Sequence, residues 1–170
     1  DIPTSVTAIE QFAFECCTAL ASIDIPNSVT SIGEWAFCQC TTLTSIDIPN
    51  SVTSIVEHAF FRCTALTSID IPNSVTSIGD HAFYGCVAFT SVDIPSSVTT
   101  IGKRAFSGCV SLKLAIASHT FPHINPNCCF KNCPKLIGGG VTLSTPGSRL
   151  QAMRLKFWSP STHVDSSRAG

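Results

Sequence analysis

Apolar residues recur in this chain at a fixed interval of 23 positions, with polar residues filling the steps between them. Aligned without gaps, the units begin at Asp1, Asp24, Asp47, Asp70 and Asp93, each opening Asp-Ile-Pro. Four hydrophobic columns follow: Val6 and its equivalents to Val98; Ile9 to Ile101; Phe14 to Phe106; and Leu20, Leu43, Leu66, Phe89, Leu112. Within one unit, Leu43 to Pro49 predicts a short strand, because Ile46 and Ile48 point inward while Ser45 and Asp47 point outward. Proline ends that strand and Pro49-Asn50-Ser51 turns the chain. Val52 to Ile55 is a second extended piece, and Glu57 to Phe61 a tight turn or short 3₁₀ segment. A unit this small cannot bury its own apolar face, so the units must stack and share one core.

The stacked units predict a solenoid of short parallel strands, turns and short 3₁₀ segments with little α-helix. Strands spaced ~4.8 Å apart make six coils a rod about 30 Å long. The pattern is Leu43-x-x-Ile46-x-Ile48-Pro49-x-x-Val52-x-x-Ile55-x-x-x-Ala59-Phe60-x-x-Cys63-x-x-Leu66. It resembles the BspA-type leucine-rich repeat family. That resemblance implies a leucine-rich repeat solenoid in a surface-exposed or secreted protein used for adhesion and protein binding. It covers five regular coils over 1–115 and one degraded coil over 116–137. The degraded coil ends in Phe130-Lys131-Asn132-Cys133, with Phe130 lying 24 rather than 23 residues after Phe106.

Composition fits the pattern. Charged residues are 12% of the 170, about half the usual share. Ser and Thr, 22 and 18 residues, take their place. At 44% apolar the repeat region is not a disordered chain, and no apolar run reaches the ~18 residues of a membrane-spanning helix. The net charge of −1 conceals a polarity. Residues 1–101 hold ten acidic groups and one basic one, whereas 102–170 hold nine basic and one acidic. Nothing in the pattern asks for a cofactor or a nucleic-acid partner. The chain opens at Asp1 inside a repeat, which reads as a fragment or processed product.

Binding chemistry is sought where the repeat varies, since a scaffold keeps its core and changes its reading surface. Variation gathers around Ala-Phe. One column reads Phe12, Trp35, His58, His81, Arg104; another reads Glu15, Cys38, Phe61, Tyr84, Ser107. Aromatic residues beside charge are the composition of binding hot spots. Trp35, His58, Phe61, His81, Tyr84 and Arg104 are therefore the candidate ligand face for a protein or surface glycan. The plainer alternative is that the rings cover the core edge of a thin solenoid. A second candidate is the outward ladder Asp24, Asp47, Asp70, Asp93. It reads either as a face for calcium or a cationic ligand, or as carboxylates bonded to the turn amides after proline.

Ten Cys raise the question of disulfides or metal. Cys17, Cys40, Cys63, Cys86 and Cys109 recur at a core register and read as a buried thiol ladder. His119, His123, Cys128, Cys129 and Cys133 have the donors for zinc. However, Pro122 and Pro126 break any helix that would align the histidines, so a degraded last repeat is the expectation and no metal is assigned. The Thr7, Thr30, Thr53, Thr76, Thr99 column could match an ice lattice, but needs a flanking Thr row where Ser mostly stands. No catalytic order of Ser, His and Asp emerges, and the alternatives to a binding module are a structural spacer or a metal-binding protein. Residues 138–170 read as a Gly/Ser/Pro linker and then a cap or disordered tail. A short helix over 149–158, with Leu150, Met153 and Phe157 on one face, is the one segment suited to membrane contact.

Overall fold

The computed structural model describes residues 1–117, 126–136 and 142–143. Its elements are β1 (Ala8–Ile9), β2 (Ser31–Ile32), β3 (Ser54–Ile55), β4 (Ser77–Ile78), β5 (Ser91–Ile94), β6 (Thr100–Ile101), β7 (Leu114–Ala117), α1 (Pro126–Cys129) and β8 (Thr142–Leu143). All strand pairings are parallel, and between repeats they keep the 23-residue register, as in Ser54 opposite Ser77. The second extended piece supplies β1–β4 and β6. The first, Ile46 to Ile48 and its equivalents, is joined by bridges Asp47 to Asp70 and Asp70 to Asp93, and widens to four residues only in β5 and β7.

The four apolar columns meet inside the coil. Val29, Val52, Val75 and Val98 are fully buried, as are Leu43, Leu66, Phe89 and Leu112. The Phe column is a continuous stack. Phe14, Phe37, Phe60, Phe83, Phe106 and Phe130 lie 5.1, 5.4, 5.3, 5.2 and 5.1 Å apart, ring centre to ring centre. Each fully buried ring contributes roughly 1.5–3 kcal/mol by leaving water. Phe130 keeps the stack although it is one residue late, and Cys129 takes the buried place of the Ala before Phe.

The Ala-Phe corner is built from turns rather than a 3₁₀ helix. Alternate amides close local turns, as Ala13 N–H to Glu10 and Glu15 N–H to Phe12. The amides between them reach the next coil: Phe12 to Glu34, Phe14 to Ala36 and Cys16 to Cys38, at 2.7–3.1 Å. Two residues per coil take left-handed backbone angles to allow this alternation. They are Phe12, Trp35, His58, His81 and Arg104 in one column, and Cys16, Gln39, Arg62, Gly85 and Gly108 in the other. Only the last two are glycine, so most of these corners hold a side chain at a cost of roughly 1–2 kcal/mol each.

The Cys ladder closes the same corner from inside. The thiols of Cys40, Cys63, Cys86, Cys109 and Cys133 donate to the carbonyls of Phe14, Phe37, Phe60, Phe83 and Phe106 at 3.0–3.2 Å. All ten Cys are free thiols. Burial pushes the Cys40 thiol up to about 12 and the Cys63, Cys86 and Cys109 thiols well above their usual value. Cys40, Cys63, Cys86 and Cys109 are thus buried core, as their register foretold, whereas Cys17 in the first coil is half-buried.

Strand pairing is interrupted once along the Ser-Ile row. β1 pairs with β2, β3 with β4 and β4 with β6, but β2 and β3 do not pair. The cause lies one residue further on, in the column Gly33, Val56, Gly79, Gly102. A Cβ on Gly33 would stand 2.5 Å from the Gln11 amide nitrogen, and one on Gly79 2.5 Å from that of Glu57. Val56 carries such a Cβ and holds its coil off the one before. Gly33, Gly79 and Gly102 each donate to the preceding coil's Ile carbonyl at 2.7 Å, and Val56 makes no such bond.

At the far end, β8 pairs with β7, Thr142 opposite Ile116 and Leu143 opposite Ala117. The stretch read from composition as a linker therefore carries a rung of the sheet, since Val141-Thr142-Leu143 has strand propensity between its flanking glycines and proline. The expected 149–158 helix, with Leu150, Met153 and Phe157, lies outside the described residues.

Two substitutions test this account. Val56→Gly closes the gap, so amide exchange at Trp35, Thr53 and position 56 slows; Gly79→Val opens a second gap and costs about 1–3 kcal/mol in chemical denaturation. Gln39→Gly, at an exposed left-handed corner where other coils already use glycine, stabilises by about 0.5–1 kcal/mol, a rise of about 1–4 °C in Tm.

Candidate functional site

The left-handed corner residue projects its side chain from the coil edge, and the 23-residue period lines these side chains up. Trp35 stacks on His58 with ring centres 3.8 Å apart, and His58 on His81 at 4.9 Å. A second file stands beside it, with Phe61 stacked on Tyr84 at 5.1 Å. Cross-contacts at 5.4–5.6 Å tie the files together, His58 to Phe61, His81 to Tyr84 and Trp35 to Phe61. All five rings are half-buried: their inner edges close the core and their outer edges meet solvent. Arg104 is exposed, one coil past His81, and stacks on no ring.

Carboxylates border the ring files. Glu34, Glu57 and Asp80 form the column one residue before Trp35, His58 and His81. Glu57 Oε1 lies 3.1 Å from His58 Nδ1, off the line of a hydrogen bond. Desolvation lowers the His58 pKa below the ordinary imidazole value, and the positive pole of His81 acts in the same direction. Glu57, Asp80 and Glu34 oppose that shift. The Arg62 guanidinium sits 5.5 Å from the centre of the Phe61 ring, a cation–π contact within the chain itself. The face thus carries flat ring surface and negative charge, and its Phe61 ring already holds the chain's own Arg62 guanidinium. The acidic column escaped sequence reading, although its signal was present as three acids at the repeat period. The left-handed angle at Trp35 and His58 left no signal, because no coil places Gly there.

The sequence pattern of the BspA type leucine-rich repeat region matches residues 7–137 in six copies. The chain belongs to the BspA-type leucine-rich repeat family. A leucine-rich repeat protein of T. pallidum has the same fold, with a TM-score of 0.71 and 32% identity over 77% of this chain and 61% of that one. A leucine rich cell surface protein of Faecalibacterium prausnitzii is 44% identical, with a TM-score of 0.68 over 70% of this chain and 31% of that one. A leucine-rich repeat protein of Bacteroides ovatus is 38% identical, with a TM-score of 0.68 over 77% of this chain and 34% of that one. The chain therefore spans between about a third and three fifths of the length of these structures. No curated protein matches it.

The remaining candidates fall elsewhere on this BspA-type solenoid. Asp24, Asp47, Asp70 and Asp93 are exposed along the sheet edge, with Asp47, Asp70 and Asp93 directly opposite one another. Among the described residues no donor bonds their carboxylates, so the expected bond to the turn amide is not made; Pro carbonyls close those turns instead, as Val52 N–H to Pro49. The Thr hydroxyls are occupied too: Thr30, Thr76 and Thr99 donate to the carbonyls of Thr7, Thr53 and Thr76. Of the zinc candidates, His119 and His123 lie outside the described residues and Cys128 is half-buried. Cys129 is core: its thiol faces the Ile101 carbonyl at 3.7 Å, and burial pushes it up to about 11. A cavity of about 640 Å³ at the open face of the first coil is lined by Ile2, Val6, Ile9, Phe14, Leu20 and Ile23, none of which belongs to the ring files.

His58 gives the site a pH signature. Its folded pKa is depressed, so the unfolded chain binds the proton more readily. The His58 contribution to stability is whole above the unfolded value of about 6.5 and is lost as pH falls through the lower folded value. Thermal unfolding from neutral to mildly acidic pH should lower the Tm of the native chain more than that of His58→Gln.

Proposed function

We propose that this leucine-rich repeat protein is a non-catalytic binding module that presents its paired ring files and acidic border to a protein partner with exposed Arg or Lys side chains. The observation that carries this reading is the stacked set Trp35–His58–His81 and Phe61–Tyr84, held half-exposed beside Glu34, Glu57 and Asp80. Stacking fixes the rings before any partner arrives, so little side-chain entropy remains to be lost on binding. Guanidinium or ammonium groups then gain from ring faces and carboxylates together. The similarity to a leucine rich cell surface protein supports a surface or secreted setting for such a module, and adhesion as its purpose.

Selection of a random peptide display library on the purified chain tests the reading. Enriched peptides should carry Arg or Lys near an aromatic residue, and Trp35→Ala with Tyr84→Ala should weaken them at least tenfold while the fold is retained. Equal binding to the double variant would remove the ring face from the function. A lack of any enriched sequence would favour a spacer, and selective binding of glycans on an array would replace the peptide partner.

A further inference from the structure

The repeat period does something else on this face. It puts His58 and His81 in neighbouring coils, with Glu57 beside His58, so that one donor atom from each of the three lies within 4.8 Å of the others. The Nδ1 atoms of His58 and His81 are both buried, and neither has a hydrogen-bond partner. A buried polar atom is ordinarily hydrogen-bonded, and here two buried ring nitrogens without such a partner stand in adjacent coils beside one carboxylate. Glu34 and Asp80 add negative charge around His58.

We propose that Glu57, His58 and His81 form a site for a divalent transition metal of the zinc type. Two imidazole nitrogens and one carboxylate oxygen are a donor set for zinc, nickel or copper rather than for magnesium or calcium. Metal bonds of about 2.0–2.2 Å in a tetrahedral site put donors about 3.4 Å apart, so the three must draw together by up to about 1.4 Å. Glu57 is exposed and swings freely. The two rings, now parallel to within 3°, must tilt out of their stack. That tilt opposes binding, so the expected dissociation constant is on the order of micromolar. Three protein donors leave a fourth position open to water or to a partner's side chain. The site does not depend on the peptide-binding reading, since it is complete within the isolated chain.

The test uses the full chain, stripped of metal and kept reduced, with Trp158→Phe so that Trp35 is the sole indole. Zinc chloride is titrated by calorimetry, and nickel chloride by quenching of Trp35, whose ring stacks on His58. Expected are one zinc per chain and strong quenching by nickel. His58→Gln with His81→Gln should abolish both signals, and Glu57→Gln should weaken zinc about tenfold. Zinc bound with unchanged affinity by the double variant would put the metal on the thiols and overturn the site. So would an absence of binding to the native face. If the double variant does not fold, Glu57→Gln decides alone: it alters one exposed oxygen, and unchanged affinity there overturns the three-donor site.

Discussion

Each coil is fastened to the next at the Ala-Phe corner, and the rest of the molecule depends on that joint. Three interactions converge there: the stacked Phe ring, the amide directed into the following coil, and the Cys thiol on the Phe carbonyl of the coil before. The strands of the Ser-Ile row are two residues long and could not hold such a stack by themselves. The turn ladder also carries most of the backbone strain, because it needs two left-handed residues per coil. The repeat tolerates that strain because the same angles release alternate amides toward a neighbour. With so few charges, and no Lys or Arg paired to a carboxylate among the described residues, ion pairs contribute little to this joint.

The core was legible in the sequence because burial acts on side chains, and side chains are what a sequence records. The Val, Ile, Phe and Leu columns, the thiol ladder and the 23-residue register all follow from apolar residues recurring at one interval. Backbone geometry was less visible. Trp35, His58 and Arg62 occupy angles that usually announce themselves through glycine, and only Gly85 and Gly108 hinted at the corner. Val56 was readable, as one valine in a column of glycines, but its effect requires knowing how near the adjacent backbone runs. Thr142 and Leu143 looked like linker because two residues between glycine and proline carry too little pattern to mark a strand.

The candidate face was half legible. Variation located Trp35, His58, Phe61, His81 and Tyr84, and the period explains why they touch. Their chemistry comes from something the columns do not state separately: the variable corner lies next to an acidic column, so rings and carboxylates share one edge. The family supplies the frame, while these few positions distinguish this chain from another with the same frame. Asp24, Asp47, Asp70 and Asp93 lie on a different edge, which separates the charge of the strand face from that of the ring face.

The gap at Val56 falls between the second and third coils, where Trp35 stacks on His58. Trp35 makes no ladder bond with its amide there, and its ring contact is the shortest in either file. Backbone rungs are fewer at this joint than between the first and second coils, and two rings lying face to face span it on the outer surface. A group lying across the Trp35 and His58 rings would touch both sides of that joint at once.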